Sequence, residues 1–257
     1  MATEVILPRF RAQRDEDVSE KASGDLVTVA DLEAEVALSQ FLSAHVPGSV
    51  VIGEEAVAAD PSTLTTAIGR DQVWVIDPID GTANFVAGDP AFGVMVAFVE
   101  RGVTTSSWIH HPATGRFFAA QRGAGATVDG QPLVRRPGSE NLDELRATVV
   151  TRLLDDSTAT RVETRASAFG TVNPSRLPAS QQYPRVADGK LDVVLYWRTL
   201  VWDHAAGALL LEESGGRAAR LDGSDYEPWS DRTGLILAAD PETHARAAAV
   251  LAPVGRL

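Results

Sequence analysis

The sequence contains no cysteine among its 257 residues. Disulfide bonds, zinc sites built from thiolates and cysteine nucleophiles are therefore excluded. Long apolar runs are also missing, and the apolar stretch at residues 94–99 is far too short to span a bilayer. The first residues lack the charged start and the long apolar core of a signal peptide. These absences predict a soluble, cytoplasmic protein with no membrane partner.

Positive charge is scarce as well. The chain has 23 basic residues against 35 acidic ones, a formal net charge of -12 and a pI of about 4.8. Its longest basic run is the pair Arg135-Arg136, whereas proteins that bind a nucleic-acid polymer usually present a basic patch. No nucleic-acid partner is therefore expected. An acidic protein that handles an anionic substrate can use bound cations at its site, so clustered carboxylates are the residues to look for.

The remaining composition is that of a folded protein, with 44% hydrophobic and 23% charged residues. Strand patterns alternate with helix patterns along the chain, which predicts an α/β or α+β fold with helices covering sheets. A soft boundary at Pro137-Gly138 suggests two halves of one compact unit, residues 1–137 and 138–257.

Hydrophobic periodicity predicts the individual elements. Helices are expected at residues 31–45 and 203–213, the second capped by Asp203 and ended by Gly215-Gly216. Short apolar runs predict strands at 49–53, 71–76, 91–99, 103–109, 117–120, 126–128, 147–151 and 191–196.

The strongest chemical signal is the segment Asp77-Pro78-Ile79-Asp80-Gly81-Thr82. Asp77 ends an apolar strand, and Pro78 biases it away from helix. Asp80 is expected to follow in a tight turn, so that both carboxylates can face one point. Gly81 and Thr82 are expected to open a short helix whose free N–H groups suit a phosphate. Carboxylate oxygens are ligands that magnesium prefers.

Two more acidic positions fit the same site. Glu54 ends a predicted strand, and Asp203 begins a predicted helix. Ligands of such sheets lie at strand ends and helix N-termini, so Glu54, Asp77, Asp80 and Asp203 are expected to converge. Asp31 begins another predicted helix, where acting only as its N-cap is the alternative to a chemical role.

Four segments resemble the signature segments of the inositol monophosphatase family, in the family's order and at similar separations. They are Lys21 with residues 24–28 and Asp31, Gly53-Glu54-Glu55, residues 77–85, and Trp202-Asp203-His204-Ala205-Ala206-Gly207. The resemblance runs from about Lys21 to Gly216. It implies a layered αβαβα sandwich and a hydrolase that removes phosphate from a small phosphorylated metabolite with the help of two or three Mg²⁺ ions.

The same resemblance implies a role for each matched residue. Glu54, Asp77 and the carbonyl of Ile79 would hold a first ion; Asp77, Asp80 and Asp203 would hold a second, and Glu54 would help a weaker third. Direct attack by water, without a phosphoenzyme, would be the reaction. Asp31 and Thr82 would orient and deprotonate the attacking water. The N–H groups of Gly81 and Thr82 would bind the phosphate, and Lys21 would lie near the third ion and the phosphate. Lithium inhibition and a homodimer are further expectations from the family.

The leaving-group side departs from the family pattern. Where members usually carry a Gly-Ser/Thr-Ala-Ala segment, this chain has residues 177–182, including Ala179. Inositol-specific members place a glutamate where this chain has Tyr196, and Arg198 follows two residues later. An arginine there suits a second anionic group, although a solvent-facing Arg198 is the equal alternative. Inositol phosphate is therefore disfavoured as the preferred substrate.

Several functions stay open from the sequence. Within the family they are inositol monophosphatase, histidinol-phosphate phosphatase, fructose-1,6-bisphosphatase and 3′-phosphoadenosine 5′-phosphate phosphatase. The haloacid-dehalogenase phosphatases use an Asp-x-Asp spacing with a phosphoenzyme, whereas Asp77 and Asp80 are one residue further apart. A silent sensor of cations or phosphometabolites is the alternative outside enzymology, because a fold does not guarantee a function.

Overall fold

The computed structural model describes residues 2–12, 17–22, 25–174 and 177–251, with the side chains of residues 21, 22, 25 and 174 left undescribed. The chain opens with one helical turn, Ala2–Ile6, and an antiparallel hairpin of β1 (Val18–Ala22) and β2 (Asp25–Thr28). Among the described residues, no helix is both long enough and apolar enough to cross a membrane.

A seven-stranded sheet dominates the first half of the chain. Its strands follow one another in chain order: β3 (Val50–Gly53), β4 (Gln72–Asp80), β5 (Gly93–Glu100), β6 (Val103–His111), β7 (Arg116–Gln121), β8 (Gly125–Val128) and β9 (Gln131–Leu133). Only the pair β3 and β4 is parallel. Both of these strands therefore deliver their last residues to the same edge of the sheet.

A five-stranded sheet follows, with a different order in space from that along the chain. Its members are β10 (Arg146–Val149), β11 (Thr171–Pro174), β12 (Val193–Tyr196), β13 (Arg217–Arg220) and β14 (Leu235–Ala238), arranged 11-10-12-14-13. Strands β11, β10 and β12 run parallel, and β14 runs antiparallel to β12 and β13. Strand β10 thus lies directly beside β12 although β11 separates them in sequence.

Eight helices surround the sheets in the described part of the chain. They are α1 (Val29–His45), α2 (Glu54–Ala59), α3 (Ser62–Ala67), α4 (Thr82–Val86), α5 (Asp156–Ala166), α6 (Ala179–Ala187), α7 (Val201–Ser214) and α8 (Pro241–Leu251). Helix α1 covers the outer face of the seven-stranded sheet, α6 and α7 fill the space between the sheets, and α5 and α8 cover the outer face of the five-stranded sheet. The layers run α, β, α, β, α, which confirms the predicted sandwich.

Strand β4 shows how the sequence specifies these layers. Val73 and Val75 belong to the core shared with α6 and α7, while Trp74 and Ile76 pack with α1 on the opposite face. Successive side chains of a strand point to opposite faces, so a strand buried on both sides reads as a continuous apolar run. That is why residues 71–76 could be recognised as a strand without any alternation.

Most predicted elements exist, with shifted ends. Both predicted helices and all eight predicted strands are present. The second helix was predicted to begin at Asp203, but it begins at Val201, with Leu200 as its N-cap. Capping by Asp203 was therefore wrong, because this residue lies within the first turn. Gly215, at φ 103°, ends the helix as predicted. The division into halves at residue 137 stays a prediction.

Candidate active site

Three carboxylates meet between the two sheets. Glu54 follows β3 as the first residue of α2, Asp77 lies within β4, and Asp203 lies in the first turn of α7. Each offers one oxygen, and these oxygens all lie within 4.8 Å of one another. The parallel pairing of β3 with β4 brings the first two together, and α7, packed beneath the same sheet, supplies the third.

Asp80 belongs to the same group but reaches it differently from the prediction. No turn separates it from Asp77, because β4 continues through Asp80 with an irregular register between Asp77 and Asp80 opposite β5. Such irregularities redirect side chains. The N–H of Ser180, at the start of α6, donates to Asp80 Oδ2. The carbonyl of Ser180 in turn lies 2.8 Å from the Nε2 of His111, so α6 and β6 fix this carboxylate.

Burial and mutual repulsion disfavour the charged forms of these clustered carboxylates. Burial raises the pKa of Asp77 well above its ordinary value, and the charges of Glu54, Asp80 and Asp203 raise it further. The pKa of Asp203 is likewise raised well above normal by burial and by Asp80 and Glu54. Burial raises the pKa of Asp80 to about 6 against the opposing hydrogen bond from Ser180. Buried carboxylates this close repel one another unless protons or cations neutralise them.

The donor set fits magnesium. Magnesium binds carboxylate oxygens and usually retains water or substrate phosphate in its coordination shell. Glu54, Asp77 and Asp203 supply hard oxygen ligands from three separate elements, and no sulfur or imidazole ligand joins this group among the described residues. Raised carboxylate pKa values are the expected signature of a site whose charge is completed by divalent ions.

A hydrogen-bonded pair of side chains lies beside the carboxylates. Thr82 Oγ1 is 3.2 Å from Asp31 Oδ1 and 3.1 Å from the carbonyl oxygen of Ile79, so its single proton can serve one of them. Thr28, the N-cap of α1, donates its N–H to Asp31 Oδ2 over 2.8 Å, and the two residues form a capping box. Asp31 is thus the third residue of the helix and not its N-cap. Its position leaves Oδ1 for Thr82.

The position of Glu54 depends on a residue that the sequence interpretation missed. Glu35, buried in α1, accepts hydrogen bonds from the N–H groups of Glu55 at 2.9 Å and Ala56 at 2.7 Å. These are two of the first four N–H groups of α2, which lack partners within the helix. A Cβ on Gly53 would meet the Glu35 carboxylate at 2.2 Å. Only a glycine therefore leaves room for this acid at the entry to α2.

A cavity with two lobes opens beside these groups. The metal lobe, about 240 Å³, is lined by Glu54, Asp77, Thr82 and Trp202 among others. The leaving-group lobe, about 360 Å³, is lined by Ala179, Tyr196, Trp197 and His204 among others. Residues shared by both lobes are Asp80, Gly81, Ala83, Arg152, Arg198 and Asp203.

The structure therefore brings together most of the residues singled out in the sequence. Asp31, Glu54, Asp77, Ile79, Asp80, Gly81, Thr82, Ala179, Tyr196, Arg198 and Asp203 all lie at or beside this cavity. The side chain of Lys21 lies outside the described residues, as does Gly24. Arg152 was not recognised, because it belongs to no signature segment and the strand before it, β10, is far from the other site elements in sequence.

Nearly the whole chain matches a known family. A sequence profile of the inositol monophosphatase family matches residues 1–255. The chain belongs to the inositol monophosphatase family. This match confirms the family resemblance found in the sequence. Members of this family are phosphatases that hydrolyse phosphate monoesters.

Relatives in the family carry different activities. A Thermotoga maritima fructose-1,6-bisphosphatase/inositol-1-monophosphatase is 31% identical over 219 residues, covering 83% of this chain and 79% of that protein. A Mycobacterium leprae inositol-1-monophosphatase is 35% identical over 201 residues, covering 74% and 67%. A Chlorobaculum parvum histidinol-phosphatase is 33% identical over 208 residues, covering 80% and 77%. Similarity to the family thus leaves several substrates open.

Solved structures share the fold over nearly the entire chain. The Thermotoga maritima IMPase superposes with a TM-score of 0.82 at 25% identity, covering 98% of this chain and 92% of that one. An IMPase/NADP phosphatase solved with Mg²⁺ and phosphate superposes with a TM-score of 0.78 at 22% identity, covering 96% and 89%.

Proposed function

We propose that this inositol monophosphatase family member uses magnesium to hydrolyse a small phosphorylated metabolite by direct attack of water. The observation that carries the proposal is the group formed by Glu54, Asp77 and Asp203, whose oxygens lie within 4.8 Å of one another beside buried Asp80. A phosphate and these acids repel each other, so productive binding requires cations between them. The Mg²⁺ in a solved structure of the same fold supports this choice of ion.

The chain offers ligands for two or three ions. Glu54, Asp77 and the carbonyl of Ile79 would hold one, and Asp77, Asp80 and Asp203 a second; Glu54 would also help a weaker third. Bound magnesium supplies charge neutralisation for the phosphate and lowers the pKa of water. Because Asp77 would serve both of the first two ions, its removal is expected to affect more than one ion.

Thr82 and Asp31 would take the proton of the attacking water. The oxygen of Thr82 accepts a hydrogen bond from the water while its own O–H points to Asp31 Oδ1, 3.2 Å away. Burial raises the pKa of Asp31 to about 6, against opposing hydrogen bonds from Thr28 and Thr82. A general base with a pKa near the working pH accepts a proton effectively. The proton would pass from water to Thr82 Oγ1, and the Thr82 proton to Asp31.

The remaining proposed contacts hold the phosphate and the leaving group. Gly81 has φ 92°, which only glycine adopts without strain, and its conformation begins α4 beside the cavity. The N–H groups of Gly81 and Thr82 would donate to the phosphate, with Lys21 near it. Ala179, Tyr196 and Arg198 line the leaving-group lobe and would contact the rest of the metabolite.

The test is phosphate release from inositol 1-phosphate, histidinol phosphate, fructose 1,6-bisphosphate and 3′-phosphoadenosine 5′-phosphate, with and without Mg²⁺. Magnesium-dependent release from at least one compound is expected, without a trappable phosphoenzyme. A trapped phosphoenzyme would point to haloacid-dehalogenase chemistry. Binding of magnesium without release from any phosphomonoester would instead favour a silent sensor.

Three finer properties stay predictions: lithium inhibition and a homodimer from the family, and a cytoplasmic location from the composition. Inhibition by lithium is checked in the same assay, a homodimer by the mass in solution, and a cytoplasmic location by cell fractionation.

A further inference from the structure

Two arginines emerge at the same edge of the five-stranded sheet. Strands β10 and β12 are parallel neighbours, with Val149 opposite Leu195, and the N–H of Val150 donates to the Leu195 carbonyl over 2.9 Å. Arg152 follows the end of β10 and Arg198 follows the end of β12. Since neighbouring parallel strands end at one edge of a sheet, the two side chains lie on the same side of the cavity.

Both guanidinium groups border the metal lobe and the leaving-group lobe. They are exposed, and within the described chain neither forms an ion pair with a carboxylate. Asp80 and Asp203 line both lobes as well. Two unpaired cations are therefore available to an anion that enters the cavity beside these carboxylates.

Hydrogen bonds from buried side chains hold the backbone at Arg198. His204, buried in α7, has Nε2 at 3.3 Å from the Arg198 carbonyl and Nδ1 at 2.9 Å from the hydroxyl of Tyr183. A carbonyl only accepts, so Nε2 carries the proton and Nδ1 accepts from Tyr183. Arg220, fully buried, donates to Thr199 Oγ1 over 3.0 Å. These contacts hold residues 198 and 199 in place before any ligand binds.

An unused donor faces the same lobe. Tyr196 is 8% exposed and lines the leaving-group lobe, and its buried hydroxyl has no hydrogen-bond partner among the residues that the structure describes. A buried polar group without a partner costs free energy that a ligand can recover. Burial, with the charges of Asp80 and Asp203, raises the pKa of Tyr196 well above its usual value. The hydroxyl therefore keeps its proton and can donate it.

We propose that Arg152 and Arg198 bind a second anionic group, a phosphate or a carboxylate, on the leaving group of the substrate, with Tyr196 donating to an oxygen of the same leaving group. This inference rests on the proposed phosphatase function. The carboxylates and their ions would bind the phosphate that is cleaved. The two arginines add positive charge beside the lobe that would hold the leaving group. The expected substrate class is therefore a metabolite with two anionic groups.

The experiment compares matched substrates that differ only by the second phosphate, fructose 1,6-bisphosphate against fructose 1-phosphate and 3′-phosphoadenosine 5′-phosphate against adenosine 3′-phosphate. For each compound, kcat/KM is measured for the wild type, Arg152→Ala, Arg198→Ala and the control Arg70→Ala, an exposed arginine before β4. A compound that is not turned over is scored by its inhibition constant against p-nitrophenyl phosphate hydrolysis.

The wild type is expected to favour the doubly charged member of at least one pair, and loss of either arginine should reduce that preference about 10- to 100-fold. Arg70→Ala should keep it. Equal treatment of both members by the wild type, or an equal loss for both in the arginine variants, would overturn the inference; the second result would assign the arginines to the cleaved phosphate. Failure to release phosphate from any compound, p-nitrophenyl phosphate included, would overturn the proposed function itself, and the inference with it.

Discussion

Thr82 Oγ1 and Asp31 Oδ1 lie 3.2 Å apart although 51 residues separate them in the sequence. The first turn of α1 presents Asp31, and the start of α4, directly after the carboxylates of β4, presents Thr82. Asp31 is fixed by its capping box with Thr28, so its free oxygen has a defined direction. In the proposed reaction, this pair would accept the proton of the attacking water next to the carboxylate cluster.

Removing the Thr82 hydroxyl is expected to reduce kcat by about 100- to 10,000-fold, the usual contribution of general acid–base catalysis. Thr82→Val preserves the shape of the side chain, whereas Thr82→Ser preserves the hydroxyl and should retain most activity. Steady-state phosphate release and a thermal unfolding curve for each variant check this. A fully active, folded Thr82→Val variant would contradict the proposed proton path.

Magnesium should stabilise the fold increasingly as the pH rises. The folded pKa values of Asp77 and Asp203 are raised well above their ordinary values by burial and mutual repulsion. The stability linked to a raised acid pKa is fully present below the unfolded value and is lost as the pH rises through the folded one. Bound magnesium replaces the lost protons.

The experiment for this prediction is thermal unfolding from pH 5 to pH 8 in magnesium and in a chelator. Burial lowers the pKa of His204 to about 3 and that of His111 to about 4, so the stability linked to these histidines is lost as the pH falls below about 6.5. Above that pH their contribution is constant. Metal-free stability should then decline with pH, and the difference made by magnesium should widen; a constant difference would argue against the raised carboxylate pKa values.

His204→Phe should lower the stability of the fold and weaken binding of the substrate's leaving group. It leaves the Arg198 carbonyl and the buried Tyr183 hydroxyl without their partner, at a cost of about 1–3 kcal/mol. Denaturant unfolding measures the first effect, and KM for the preferred substrate should rise. The control Tyr183→Phe removes one hydrogen bond but spares the contact with Arg198, so it should destabilise without the rise in KM. Equal KM changes in the two variants would contradict a role for His204 in holding Arg198.

Gly207→Ala should destabilise the middle layer. A Cβ at this position in α7 would lie 2.2 Å from the ring of Tyr183 in α6, and overpacking of this kind costs about 1–3 kcal/mol or more. Helix propensity alone would favour alanine by about 1 kcal/mol, so the two effects have opposite signs. Thermal unfolding decides between them, and Gly207→Ala should cost less stability in a Tyr183→Ala background, where the ring is absent, than in the wild type. A more stable Gly207→Ala variant would contradict the close packing of α6 on α7.

The fold and the acidic cluster were largely predictable because their signals are local. Asp77 and Asp80 sit in a strand whose continuous apolar run identifies it, and Glu54 follows another such run. The start of α7 was misplaced by two residues, because Asp203 is a favourable N-cap residue and nothing local shows that Val201 is already helical.

Residues that act through strand adjacency could not be predicted. Arg152 lies near Arg198 only because β10 is inserted between β11 and β12 in space, which the order along the chain does not reveal. Glu35 resembles any polar residue of α1, and its role depends on the entry of α2 twenty residues later. Both require the tertiary structure.

The metal site is tested most directly by the magnesium dependence of phosphate release in Asp80→Asn, measured beside the control Asp231→Asn, an exposed aspartate. Asparagine keeps an oxygen for the Ser180 N–H but removes the charge that a cation needs, so the fold should survive. If the carboxylate cluster holds magnesium, Asp80→Asn should lose nearly all magnesium-dependent turnover, while Asp231→Asn should match the wild type. Near-normal turnover by a folded Asp80→Asn variant would contradict the assignment of this cluster as the metal site.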